Sequence, residues 1–188
     1  LPLHIFEPRY RAMVADAATG GECIGMALLK EGWEDQYEGN PPIHEIGCVG
    51  RLVNLETLPE GRYNIVLHGL SRYRVRAEHY DRAYRDATID VLTDDPVCAP
   101  LDEALRAELA RLMSAYQAVK EAEPRWKEVL RLTMSDEMLV HSLAANLDLT
   151  TVEKQFMLEA ESLPQRTRRL IELLQFKLYE HHGSEGWV

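Results

Sequence analysis

Residues 61–78 read GRYNIVLHGLSRYRVRAE, and this stretch decides the fold class of the first half of the chain. It has the β-branched and aromatic content of a strand. After Gly69 the alternation sharpens, with Tyr73, Val75 and Ala77 at one parity and Arg72, Arg74 and Arg76 at the other. Successive strand residues point to opposite faces, so the three arginines are expected to share one face and Tyr73 the opposite one. The segment reads as one long strand, or a strand pair broken at Gly69.

Working outward, Leu58-Pro59-Glu60-Gly61 is a turn signal. It joins residues 44–57, HEIGCVGRLVNLET, to the long strand as an antiparallel pair, with Gly47 and Gly50 marking a bulge or bend. Residues 22–30, ECIGMALLK, predict another strand, and residues 84–96 a further one that ends at Asp94-Asp95-Pro96. Between them, residues 31–42 are polar and rich in Gly and Pro, the composition of a loop. At the start of the chain, LPLHIFEPRYRAMV predicts a short strand that turns into a helix, with Pro8 preorganising the first turn and Gly20-Gly21 ending it.

The second half changes period. Leu101, Leu105, Leu109, Leu112, Tyr116 and Val119 recur every three or four residues, an apolar stripe on a helix. Ser135 is placed as the N-cap of a second helix, and Thr150 or Thr151 as the cap of a third. Leu163-Pro164 opens the last, which Gly183 is expected to stop, and residues 126–132 suggest a shorter piece. Strands followed by helices imply an α+β chain or two packed subdomains: a β-rich half over residues 1–96 and four to five helices over 97–188, with the boundary near Pro96–Pro100.

Composition excludes several classes. The net charge is −10 and neither half is basic, so a phosphate-neutralising nucleic-acid binder is disfavoured. No apolar run reaches the ~18 residues of a membrane span. Three cysteines without a CxxC pair fit a reduced, cytoplasmic protein, with Cys23, Cys48 and Cys98 read as buried small hydrophobes.

Three stretches in this order, Pro2–Arg11, Ile46–Val53 and Gly61–Val75, resemble the substrate-binding domain of the Lon protease family in its stand-alone form. The third is similar to that family's DGRYNILLxGxxRFRI strand pair, with Glu60 in place of Asp. The resemblance implies a six-stranded, PUA-like pseudo-β-barrel followed by a helical bundle. It also implies a polypeptide-recognition module that binds unfolded or exposed hydrophobic segments, and a separate ATP-dependent protease or chaperone as a further partner. Family members normally carry one more strand ahead of LPLHIFEP; this sequence starts after it, so either the sequence is trimmed or the barrel lacks an edge strand, and an unpaired edge is a pairing hazard. The sequence contains no GxxxxGK[ST] phosphate loop and no Pro-Lys-Asp-Gly-Pro-Ser-Ala-Gly peptidase signature. A non-enzymatic chain without cofactor follows.

The candidate peptide-binding residues are Arg9, Tyr10, Arg72 and Arg74. For Arg9 and Tyr10, beside the structural Glu7-Pro8, a packing role and a binding role both stay open. The arginines of the long strand could grip phosphates or acidic peptide, or pair with Glu78, Asp81 and Asp86 across strands as a solvated, salt-bridged face, which is the favoured reading. His181-His182, placed after the last helix, lacks the ligand spacing of a metal site and is read as a helix-end cation pair. No catalytic, cofactor or metal residue is assigned. The alternatives are an RNA-binding PUA-like domain and a small-molecule or enzymatic pocket that sequence does not display.

Overall fold

The long strand is continuous. In the computed structural model, which describes residues 1–37, 39–92, 101–119 and 135–184, the chain divides into two compact units, Leu1–Thr93 and Asp94–Val188. The expected boundary at residues 96–97, the helical piece at 126–132 and Cys98 lie outside the described residues.

The first unit is an antiparallel sheet with one helix. Its elements are β1 (Pro2–Ile5), α1 (Pro8–Gly20), β2 (Cys23–Met26), β3 (Ile46–Thr57), β4 (Tyr63–His79) and β5 (Asp86–Leu92). The strand order is β1-β4-β3-β2, and β5 also pairs with β4. The β3–β4 hairpin turns through Pro59–Gly61, where Glu60 and Gly61 take positive φ of 63° and 68°. Gly61 suits that backbone, whereas Glu60 accepts strain there.

Three register shifts bend the sheet. Each places one extra residue in a strand: Leu70 opposite the Val49–Gly50 step, Val53 on β3, and Arg76 on β4 opposite Ile89–Thr88. A bulge bends its strand and increases local twist, so a 17-residue β4 can serve β1 with its first residues and β5 with its last. The predicted break at Gly69 is therefore a bulge beside it. The same physics corrects the arginine stripe. Arg72 and Arg74 keep one parity, but Arg76 is the extra residue of a bulge and pairs with Asp90 rather than with Glu78, Asp81 or Asp86.

The six-stranded barrel needs a second correction. Five strands are present among the described residues, and the sheet stays open. The predicted strand at 22–30 is paired over only four residues, with an isolated bridge at Leu29–Ile43 beyond it. Among the described residues β2 therefore pairs only with β3 and β5 only with β4, leaving each with an outer edge. The core of this unit comprises Ile5, Val14, Ile24, Leu52, Ile65 and Leu67, apolar side chains brought together from α1 and four strands.

The second unit is helical. α2 (Glu103–Val119), α3 (Asp136–Asn146), α4 (Thr151–Leu158) and α5 (Leu163–Ser184) enclose a core that includes Leu109, Met113, Leu143, Leu170 and Leu174. The caps are those the sequence announces. Ser135 accepts from the Met138 amide. Thr150 and Glu153 form a reciprocal capping box, at 3.2 Å and 2.6 Å. Burial pushes the Glu153 carboxyl up, but the Thr150 amide and Lys177 outweigh it and hold the group below the usual carboxylate range. The Lys177 contact, at 3.2 Å, ties α4 to α5. α5 runs past Gly183 to Ser184, so His181 and His182 belong to its last turns rather than to a tail. Among the described residues no helix is long and apolar enough to cross a membrane.

Candidate functional site: a tyrosine-rich cleft in the sheet unit

A cleft of about 600 Å³ opens on the face of the sheet that carries Tyr73. Its floor follows from the register. Val49, Tyr73 and Val75 have one parity, and Ile89 lies opposite Val75, so all four share a face. One wall is built by Arg9, Tyr10 and Met13 of α1 with Cys23, Ile24 and Gly25 of β2. The opposite wall comes from the β4–β5 connection, with Tyr80, Arg82, Tyr84 and Arg85, and the loop between β2 and β3 adds Leu29, Tyr37, Pro41 and Ile43.

Backbone polarity is exposed along the β2 wall. The Leu52 amide donates to the Glu22 carbonyl at 2.6 Å, which marks 22/52 as a hydrogen-bonded pair. Pairs alternate along an antiparallel ladder, so the amide and carbonyl groups of Cys23 and Gly25 turn away from β3. Those groups are templates for another extended chain.

Five of the chain's eight tyrosines line this cleft, namely Tyr10, Tyr37, Tyr73, Tyr80 and Tyr84. Tyrosine offers a rigid apolar face with a polar tip, a side chain suited to gripping polypeptide at low entropic cost. Four of these phenols, Tyr37, Tyr73, Tyr80 and Tyr84, are pushed further from ionisation. A hydrogen bond to Glu7, with burial, pushes Tyr37 up; a bond to Glu78, with burial, does so for Tyr80. Burial first, then Asp16, raises Tyr84, while burial followed by Cys48 raises Tyr73.

Each arginine of the cleft is held by a carboxylate. Arg9 donates through Nε to Glu7 Oε2 at 2.9 Å and through Nη1 to the Tyr37 carbonyl at 3.0 Å. Its guanidinium lies 4.8 Å from the centroids of both Tyr10 and Tyr37. Burial alone would lower its pKa; the bonds to Glu7 and Tyr37 reverse that and raise it. Arg82 meets Asp16 at 3.1 Å, and Tyr84 donates to the same carboxylate at 2.7 Å. Arg85 meets Glu78 at 3.1 Å, and Tyr80 donates to Glu78 at 2.8 Å. With their charges locally compensated, these arginines frame the cleft without making it a phosphate or acidic-peptide trap.

Of the four residues singled out from sequence, the cleft brings together Arg9 and Tyr10. Arg72 and Arg74 alternate with the floor residues Tyr73 and Val75 and therefore lie on the other face of β4. The remaining tyrosines carried no signal in sequence except the parity of Tyr73 and Val75. Cys23 departs from the buried-thiol expectation: it is exposed and lines the cleft. Cys48 is half-buried, and burial, partly offset by Arg72, pushes its thiol up, the reverse of an activated nucleophile. Among the described residues no group of three or more His, Cys, Asp or Glu side chains is placed to hold a metal ion.

The chain resembles known proteins along most of its length. The model of the ATP-dependent protease La (LON) substrate-binding domain matches residues 1–175. Lon protease 2 of Myxococcus xanthus is 28% identical over 179 residues, 94% of this chain and 22% of that protein. Lon protease of Anaeromyxobacter dehalogenans is also 28% identical, over 94% of this chain and 21% of its own length. The chain thus spans about a fifth of these relatives. Among solved structures, a Lon N-terminal domain protein from Xanthomonas campestris aligns with a TM-score of 0.67 at 19% identity, covering 92% of this chain and 88% of that one. The N-terminal domain of a Mycobacterium avium complex Lon protease aligns at 0.64 and 18%, covering 93% and 90%. At these identities the structural matches speak for the fold.

Proposed function

The chain belongs to the family of the ATP-dependent protease La (Lon) substrate-binding domain, and on that premise we propose that it is a polypeptide-recognition module, without chemistry of its own, that takes extended apolar-rich segments into the tyrosine-lined cleft. The observation that carries the reading is the coincidence of three features at one place. These are an apolar floor, five tyrosines and a strand edge with outward backbone groups. A peptide in extended conformation matches all three: its backbone adds to β2 and its alternate side chains meet Tyr73, Val75 and Ile89. Unfolded or partly unfolded polypeptide is the partner in this reading, handed on to an ATP-dependent protease or chaperone.

A titration tests it. A fluorescein-labelled, reduced and carboxymethylated protein that cannot refold is added to the chain, and anisotropy is followed. Binding is expected at micromolar concentration with weak dependence on salt, because Arg9, Arg82 and Arg85 are already paired. Replacing Tyr10 and Tyr80 together by alanine removes two exposed aromatic anchors, 36% and 49% accessible, without opening the core. The affinity is expected to fall about tenfold or more. Equal binding of the native, folded form of the same client, or no change in the double variant, contradicts the reading.

A further inference from the structure

The Glu7–Pro8–Arg9 segment makes a contact that its position at the start of α1 does not require. Glu7 occupies the N-cap, yet its side chain makes no capping hydrogen bond. Instead Oε1 accepts from the Tyr37 hydroxyl at 2.6 Å, and Oε2 accepts from Arg9 at 2.9 Å. Arg9 in turn donates to the Tyr37 carbonyl at 3.0 Å and stacks on its ring. One residue of the β2–β3 connection is thus gripped at backbone, ring and hydroxyl by two residues some thirty positions earlier.

The rest of that connection is anchored by other means. At its base, the Lys30 amide donates to the Pro42 carbonyl and the His44 amide to the Leu28 carbonyl, each at 2.8 Å, around the Leu29–Ile43 bridge. On the far wall Arg85 donates to the Pro41 carbonyl. Between these anchors and Tyr37 there is one 3-10 turn, Glu34–Gln36, and Trp33 packs edge-on against Tyr37 at 5.5 Å. None of residues 31–36 is buried.

We propose that residues 31–37 form a strap beside the cleft that meets it through Tyr37, and that the Glu7–Arg9–Tyr37 node is the latch that holds it. The strap has little packing of its own, and elements with few buried contacts open at low free-energy cost unless pinned. The pin consists of charge-assisted hydrogen bonds from the Tyr37 hydroxyl to Glu7 and from Arg9 to the Tyr37 carbonyl, with the Glu7 and Arg9 side chains each 22% accessible, where such bonds retain much of their strength. Glu7 does not line the cleft, so Glu7→Ala frees the strap without removing a lining side chain. Its consequence for clients, faster entry once the strap is free, rests on the polypeptide reading above; the latch itself does not.

Hydrogen exchange followed by mass spectrometry separates the two. In Glu7→Ala, amides of residues 33–37 are expected to exchange about tenfold faster, as loss of charge-assisted bonds predicts. Amides at 65–67 in the core strand should stay within twofold. Arg9→Ala should give the same pattern, and Arg9→Lys an intermediate one, because lysine keeps the charge but not the fork. An unchanged strap in Glu7→Ala, or equal acceleration at 65–67, overturns the latch. With the carboxymethylated client, Glu7→Ala should raise the association rate severalfold. A faster strap with an unchanged association rate overturns the gating role, whereas a faster strap in a chain that binds no client upholds the latch and removes the polypeptide reading.

Discussion

Gly47→Val is expected to lower the melting midpoint of the sheet unit by about 12–24 °C. The argument is steric. A Cβ built at Gly47 would lie 2.5 Å from the Met26 carbonyl oxygen and 2.5 Å from both Cζ and the hydroxyl oxygen of Tyr73. One obstacle is backbone of the paired neighbour, and the other is a ring only 5% accessible, so neither moves cheaply. Overpacking a tight core costs about 1–3 kcal/mol and sometimes more; two rigid obstacles and a β-branched side chain place this case at about 3 kcal/mol or above. A domain of this size loses about 4–8 °C per kcal/mol. Near-UV circular dichroism, which reports the tyrosines, follows the transition. Gly20→Ala is the control: nothing lies within 4 Å of its built Cβ, and the midpoint should hold or rise. A Gly47→Val midpoint within 3 °C of the parent would show that the Tyr73 platform is not rigid.

The second large effect belongs to the helical unit. Leu174 on α5 is fully buried among Leu109, Leu143 and Leu170. Leu174→Ala removes transfer energy and leaves a cavity, about 2–5 kcal/mol in total. Native domains hold about 5–15 kcal/mol, so a large share of the unit's stability goes. Two residues along the same helix, Phe176 is 55% accessible, and Phe176→Ala should change stability by less than about 0.5 kcal/mol. Urea unfolding monitored by far-UV circular dichroism distinguishes the two. A smaller loss at Leu174 than at Phe176 would mean that the helices pack on a different face from the one described.

The helical half was the more legible in sequence because its signals are local. Ser135, the Thr150–Glu153 box and Leu163-Pro164 each mark a boundary within one turn. The β3–β4 hairpin was legible for the same reason, through Leu58–Gly61. The bulges were not: the extra residues Leu70, Val53 and Arg76 exist only in relation to a partner strand, and period-two counting along β4 cannot register them. The candidate site was half legible. Arg9 and Tyr10 stand in a distinctive segment, but the reason for Glu7 became visible only when Tyr37, thirty residues on, came within 2.6 Å. Arg72 and Arg74 stand out in sequence by their charge, whereas the floor of the cleft uses Tyr73 between them and Val75 beyond them. The cleft draws on α1, four strands and two connections, a long-range assembly that no single stretch encodes.

The central claim, that this cleft receives unfolded polypeptide, is tested most directly at Cys23. That thiol is exposed on the cleft wall, while burial keeps Cys48 protonated and slow to react. In a Cys98→Ser background, a short photoactivatable crosslinker is attached to Cys23, and the chain is irradiated with the carboxymethylated client or with its native form. The account predicts a covalent adduct with the unfolded client, suppressed by excess unlabelled client and nearly absent with the folded one. Labelled chain that captures neither form, or both equally, at concentrations where anisotropy shows binding would contradict it.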